Sequence, residues 1–462
     1  MRDTQRRVMV ALRQGVRLTS VAFNIIILSR LIPPADYGML SFAMVLWSIL
    51  AGLRGMGIRE VIITAEHPDR LDLLHFSGKL RAQAWWLAGI CLIASPCLAW
   101  WYHPMVGLTL AALGLSWIPT SLTVIGESFA ERAFQQTALT KIEVAINLSG
   151  MLCGGLLAWH GAGLAALIAN ILIPELVRSF LIRRRLVADL PVVDLRHPGD
   201  LVLSQSLISH GNRRQWSQAL LQLGGIQNWI IGATAGSHAL GEFSRMRSMT
   251  STVIDQIFRP WAKYGFTIDA RRAEKDPQDP QYLRILGWAS GTGGLTALVG
   301  SLVVDDLLPF LLGPLWAGAT PLLKVLLPGI WTGILTMLLD WRLVHHQTSF
   351  PRRSYSLTLV ALNLSIVALL LSLSISLTTT VLAALVMQTL VGITWQIHSL
   401  CKDTGFRTPQ VALTILPGGL IAFLPTIGHP WISNPWILLP TGIAGMLLGM
   451  ILPPRWSSCR PS

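Results

Sequence analysis

The residues of this chain best suited to chemistry are arginines standing in apolar sequence. Arg13, Arg17, Ser20 and Asn24 are spaced i, i+4, i+7 and i+11, which on a helix puts two guanidiniums and two smaller polar groups on one face. Arg54 lies near the centre of the next apolar run, with Ser48, Gly52, Gly55 and Arg59 at the same stripe spacing. Further on, Arg213 and Arg214 precede Gln218, Gln222 and Asn228, and Arg245 and Arg247 share a segment with the stripe Ser244, Ser248, Ser251, Asp255. A guanidinium donates two parallel hydrogen bonds from a planar fork, so arginines gathered around a cavity suit an anion, above all a phosphate. A deep arginine costs at least a few kcal/mol on insertion scales, so Arg17 and Arg54 are expected to face a wet cavity or a partner. Arg13 and Arg59, and likewise Lys324 and Asp340, lie nearer to helix ends, where snorkelling accounts for them. Asp255 has two readings of equal weight: a counter-charge for Arg17 or Arg54, or a proton- or ion-coupling group.

Other chemistries find no support in the sequence. It has no P-loop, no HExxH zinc pair and no GxSxG elbow, so a transporter is expected and not an enzyme, with no cofactor and no metal. Cys91, Cys97, Cys153, Cys401 and Cys459 form no CxxC pair and have no ligand spacing, and they read as small interior residues. The net charge of +13 is spread over many short loops, a distribution unlike a nucleic-acid-binding face.

The elements that must position these arginines are membrane helices. Of 462 residues, 52% are apolar and 13% charged, against roughly a quarter charged in a soluble domain, and mean hydropathy is +0.54. Apolar runs lie near 9–31, 39–63, 83–102, 104–126, 141–160, 162–182, 211–234, 241–263, 285–304, 318–341, 356–376, 379–400, 410–427 and 435–452. They predict about 14 transmembrane helices, or about 12 if the seventh and eighth, the least apolar, are set aside. The basic N-terminus leads into a helix broken by Arg13 and Arg17 without a cleavage site, and it is expected to be kept as the first span.

Lysine and arginine set the orientation, since short cytoplasmic loops retain positive charge. With the N-terminus inside, alternate loops are basic, among them those holding Arg70, Lys79 and Arg81, Arg183 to Arg185, Arg271 and Arg272, and Lys402 and Arg407. The opposite loops carry Asp36, His103, Asp305, Asp306 and His429, and only Arg30 and Arg245 approach that side. Trp100, Trp101, Trp431 and Trp436 fall at outer ends, where amphipathic rings prefer to sit. Both termini are therefore expected in the cytoplasm, with the chain a multi-pass protein of a bacterial inner membrane.

The chain reads as two halves. The division is a bundle over 1–182, a basic linker over 183–210 with Pro191 and Pro198, a second bundle over 211–400, and two further helices with a short tail over 401–462. Asn24-Ile-Ile-Ile followed by Asp36-Tyr-Gly-Met-Leu-Ser is echoed by Asn228-Trp-Ile-Ile followed by Ala239-Leu-Gly-Glu-Phe-Ser, which pairs Gly38 with Gly241 and Ser41 with Ser244. Parallel repeats flanking a linker are a transporter signature, with substrate bound between the halves. Every outer loop is short, which disfavours a membrane glycan polymerase or ligase, because such chemistry is commonly carried on loops.

Three segments give a resemblance to a known family. They are Ile27-Leu-Ser-Arg-Leu-Ile-Pro-Pro-Ala-Asp-Tyr-Gly-Met-Leu-Ser-Phe-Ala, Ala239-Leu-Gly-Glu-Phe-Ser with Pro260 further on, and Leu311-Leu-Gly-Pro-Leu-Trp-Ala-Gly-Ala-Thr-Pro-Leu-Leu. In these the chain resembles the polysaccharide-biosynthesis flippases of the multidrug/oligosaccharidyl-lipid/polysaccharide exporter superfamily. The resemblance implies two six-helix bundles with a pseudo-twofold axis along the membrane normal, plus two C-terminal helices, working by alternating access. It implies an undecaprenyl-diphosphate-linked oligosaccharide as the substrate, moved for surface or exopolysaccharide synthesis, with membrane lipid, a polysaccharide polymerase and export machinery as partners and no nucleic acid. By helix and depth, the related lipid II flippases imply anion-binding roles for Arg17, Arg54 and Arg247, to which Arg13, Asn24, Arg214 and Arg245 add by position. The alternatives are a drug or small-molecule exporter of the same superfamily, whose cavities present carboxylates to cations, and an envelope scaffold.

Overall fold

With no water to satisfy backbone N–H and C=O groups, apolar segments of this length are stable in a membrane only as helices. The computed structural model describes residues 2–53, 70–121, 123–132, 135–184, 222–260, 280–345, 352–404 and 407–428, and among these there is no strand.

The first hairpin shows how the sequence sets its turns. Helix α1 (Arg2–Ala22) continues through a π-helical stretch, Phe23–Leu28, and a last turn, Ser29–Leu31. Ile32 and Pro33 are extended, and Pro34, which needs no N–H at a first helical position, opens α2 (Pro34–Gly52). Then come α3 (Arg70–Trp101), α4 (Pro104–Leu115, followed by short helices Trp117–Thr120 and Thr123–Arg132), α5 (Gln136–Trp159) and α6 (Gly163–Ile182). The Asp36 carboxylate accepts the backbone N–H of Leu164, so an acid in the first turn of α2 also caps the start of α6.

Helix α7 (Ile226–Val253) is two arms broken at Gly236, whose φ of 85° and ψ of 173° suit a residue without Cβ. Its second arm runs into another π-helical stretch, Ile254–Phe258. The rest comprises α8 (Pro280–Leu312), a 3-10 turn at Pro314–Ala319, α9 (Thr320–Leu326), α10 (Pro328–His345), α11 (Arg352–Ser372), α12 (Leu377–Thr404) and α13 (Thr408–Gly428).

The described part of each expected span from 9–31 to 410–427 thus falls mainly on helix, with two refinements; parts of 39–63, 104–126, 211–234 and 241–263 lie outside the described residues. The fourth is interrupted near Ser116 and Ser121. The tenth is bent by 43° between α9 and α10, where Pro328 can neither donate to the preceding turn nor avoid crowding it. The span 435–452 lies outside the described residues, as does nearly all of the linker 183–210. Among the described residues seven helices are long and apolar enough to cross a membrane, or eight if the bent pair is one span. Helices α1 and α7 are not among them because they carry the arginines and serines. The protein is a multi-pass helical membrane protein.

Packing divides the chain into two units, Met1–Gly241 and Glu242–Ser462. In the first, α5 packs on α6 and α1, and α4 packs on α2 and α3, around the fully buried Leu28, Phe42, Leu110, Leu113 and Trp117. The first unit also contains a close backbone crossing between the two segments that the sequence pairs as repeats. A Cβ on Gly38 would strike the Ser237 carbonyl oxygen, and one on Gly241 would strike that of Pro34. Each would also stand 3.0 Å from the other glycine's backbone nitrogen. Each glycine therefore meets the carbonyl four residues before the other, the reciprocity expected where a local twofold relates two segments. Only glycine permits so close an approach.

In the second unit, α8 packs on α13 and α10, and α12 packs on α10 and α11. Ser290 Oγ donates to the Ile415 carbonyl at 2.8 Å and accepts from Trp331 Nε1 at 2.9 Å, tying three helices together. Arg342 is fully buried, its guanidinium 4.8 Å from the Tyr282 ring centroid. Asp340, two residues away, accepts from Gln396 Nε2 at 3.1 Å. Its position toward the end of the span predicts snorkelling to a membrane surface; in the fold it is tied to α12.

Candidate functional site

Helix α1 presents the stripe that its spacing predicts, and neighbouring helices show which way that stripe looks. Arg13 forms an ion pair with Glu143 of α5, their side chains 39% and 22% exposed. Asn24 Oδ1 accepts from Asn170 Nδ2 of α6 at 2.6 Å, while Asn24 Nδ2 donates to the Ser20 carbonyl at 2.9 Å. Leu12, Leu18 and Ala22 are exposed on the other side. Arg17 lies between Arg13 and Asn24 on the polar face. It is exposed, and among the described residues no carboxylate pairs with it. Asn24 itself sits in the π-helical stretch, a geometry that recurs at functional sites.

A second arginine of this unit escaped sequence reasoning. Arg178 on α6 reaches Glu127 at 3.6 Å and Glu175 at 4.0 Å. A carboxylate one turn away in sequence was a readable signal for the Glu175 contact; Glu127, on another helix, was not. Asn228, the repeat counterpart of Asn24, has a buried carboxamide oxygen without a donor among the described residues.

In the second unit, the arm after Gly236 carries an open polar stripe. Arg247, Ser248 and Ser251 are exposed and Asp255 is half-buried, whereas Leu240, Phe243, Met246 and Thr250 are buried. The Arg247 guanidinium lies 6.0 Å from the Phe243 ring centroid, within the range of a cation–π contact. Asp255 pairs with Arg259 at 2.7 Å, one turn further along its own helix and within the second π-helical stretch. Arg17 is not among its described partners. Arg245 is buried. Arg54 and Arg214 lie outside the described residues.

The electrostatic result is a sorting of guanidiniums. Arg13, Arg178 and Arg259 are each held by a carboxylate, which cancels most of their field. Arg17 and Arg247 are exposed and have no carboxylate partner among the described residues. Their forks keep donors and charge for an anion. No group of three or more His, Cys, Asp or Glu able to hold a metal occurs among the described residues.

The comparisons with known proteins agree with this architecture. The chain resembles the solved structure titled lipid II flippase MurJ in an inward closed conformation, with a TM-score of 0.66 and 10% identity over 96% of this chain and 98% of that one. It also resembles an inward-facing multidrug resistance MATE family transporter of the MOP superfamily, with a TM-score of 0.55 and 12% identity over 86% of this chain and 95% of that one. At such identities the likeness speaks for the fold. No curated protein matches the chain in sequence. A family model described as polysaccharide biosynthesis protein matches residues 27–318, well over half of the chain and including both segments that meet at Gly38 and Gly241. The chain therefore belongs to the polysaccharide biosynthesis protein family, on a fold it shares with a lipid II flippase and a MATE transporter.

Proposed function

We propose that this protein is a flippase that carries an undecaprenyl-diphosphate-linked oligosaccharide from the cytoplasmic to the outer leaflet of a bacterial inner membrane. The observation that carries this reading is the pair of exposed guanidiniums, Arg17 and Arg247, left without carboxylates on polar helix faces of a polysaccharide biosynthesis family member. The diphosphate is the part of such a substrate that hydrocarbon rejects most strongly, and a guanidinium fork suits it. Arg54 and Arg214 join the set by sequence position, as do Arg13, Asn24 and Arg245. Asp255, with Arg259, is the candidate for coupling to a proton or ion gradient. The Arg-rich ends of the helices and both termini face the cytoplasm, and a polymerase and export machinery take the product onward.

A drug exporter of the same superfamily would need free carboxylates for cationic cargo. The ion-paired carboxylates Glu143, Glu127, Glu175 and Asp255 each already face a guanidinium, which weighs against that reading. The test is to delete the gene and follow the lipid-linked repeat unit. Accumulation on the cytoplasmic face supports the proposal, and normal delivery to the outer face refutes it.

A further inference from the structure

The first unit holds a second cationic feature, away from the α1 stripe. A cavity of about 240 Å³ is lined by Arg81 and Trp85 of α3, Ile118 of the short helix Trp117–Thr120 and its C-cap Ser121, and Arg183 at the end of α6. Helix α6 has 20 residues, so at 1.5 Å per residue it spans about 30 Å, the thickness of a bilayer's hydrocarbon. Arg183 is its C-cap and so marks one membrane surface. The apolar stretch of α3 begins at Leu80, which puts Arg81 at a membrane surface and Trp85 one turn inside it. Trp85 is 63% and the adjacent Trp86 74% exposed, as aromatic rings at the headgroup level are.

The charges in the cavity are not neutralised from within. Arg183 Nη2 donates to the Pro119 carbonyl at 3.2 Å, leaving most of its donors unused. Among the described residues no carboxylate pairs with Arg81 or Arg183, and Glu127, on the helix that follows Ser121, is turned toward Arg178. Arg184, next along, adds a third exposed guanidinium.

We propose that the Arg81–Arg183 cavity is a binding site for the phosphate of an anionic membrane phospholipid. The two guanidiniums take the phosphate, and the Trp85 ring packs against the glycerol and the start of the acyl chains. A soluble phosphate would satisfy the arginines equally well, but it would leave the apolar wall of Trp85 and Ile118 without a partner. The site is separate from the substrate reading of Arg17 and Arg247 and stands or falls without it.

The test reconstitutes the full chain in nanodiscs of equal phosphatidylglycerol and phosphatidylcholine, extracts it gently, and weighs the retained lipids by mass spectrometry. Basic residues at a membrane surface each attract anionic lipid, so wild-type protein should retain phosphatidylglycerol over phosphatidylcholine on the order of tenfold. The R81Q/R183Q double variant should lose that preference, while R81K/R183K should keep part of it, which separates loss of charge from loss of fold. The proposal is overturned if the glutamine pair keeps the wild-type preference. It is also overturned if millimolar inorganic phosphate strips the retained phosphatidylglycerol from wild-type protein, since a soluble anion would then be the occupant.

Discussion

Two polar helix faces, α1 in the first unit and the second arm of α7 in the other, carry similar residues and hold them in opposite ways. On α1 the polar groups are bound across helices, Arg13 to Glu143 and Asn24 to Asn170. On the α7 arm Asp255 and Arg259 bond along their own helix, and Arg247 lies over Phe243 of the same arm. Cross-helix bonds fix the position of a helix, so their loss costs stability. Bonds within a helix leave it free to move as a body, so their loss costs little stability and falls mainly on function. Each face nevertheless keeps one exposed guanidinium out of these bonds, Arg17 on one and Arg247 on the other.

The largest effect should come from Arg17→Ala. Losing a hydrogen bond to a charged group costs about 1.5–3 kcal/mol, so export should fall by roughly tenfold to a hundredfold with membrane abundance unchanged. Lysine at the same position should restore only part, because a point charge does not reproduce the fork. If the alanine variant exported at the wild-type rate, Arg17 would have to leave the assigned set.

Glu143→Gln strikes the bound half of the same stripe. It leaves a part-buried Arg13 without its counter-charge and should lower stability by about 1–2 kcal/mol, read as a drop in detergent melting temperature. The double variant R13Q/E143Q should recover part of this loss, the coupling that a mutant cycle measures. A strictly additive cycle would mean the pair contributes nothing.

Arg247→Lys sharpens the contrast from the other side. Export should drop severalfold, while stability should change by less than about 1 kcal/mol, the value of an exposed cation–π contact. The smallest change in stability should belong to Asp255→Asn. An i,i+4 pair contributes about 0.3–0.5 kcal/mol, so its melting curve should nearly overlay that of the wild type. A coupling role would show as export that no longer responds to an imposed ion gradient; an unaltered gradient response would assign the pair to structure alone.

How far the sequence could be read follows from what periodicity reports. Apolar runs located the helices, prolines 33 and 34 located the first turn, and the repeat pairing of Gly38 with Gly241 foreshadowed their contact. The i, i+4, i+7, i+11 spacing identified the α1 stripe because a helix face is a local property. Which helix that face meets is not local. Arg13 and Glu143 are 130 positions apart, and Asn24 and Asn170 are 146 apart, so no spacing rule connects them. Asp340 illustrates the same limit: its place near a helix end suggested snorkelling, yet its carboxylate accepts from Gln396 of α12, 56 positions away. The Asp255–Arg259 pair is different, since its i,i+4 spacing was legible and was passed over in favour of the deeper arginines.

The central claim, that guanidiniums left without carboxylates move a diphosphate-linked glycan, is tested most directly in proteoliposomes loaded with an undecaprenyl-diphosphate oligosaccharide. The measured quantity is the rate at which its sugar becomes accessible to a probe on the opposite face. Wild-type protein should speed this exchange and R17A/R247A should abolish it, with neither catalysing exchange of a neutral glycolipid. Equal rates for wild type and double variant, or equal handling of the neutral lipid, would contradict the account.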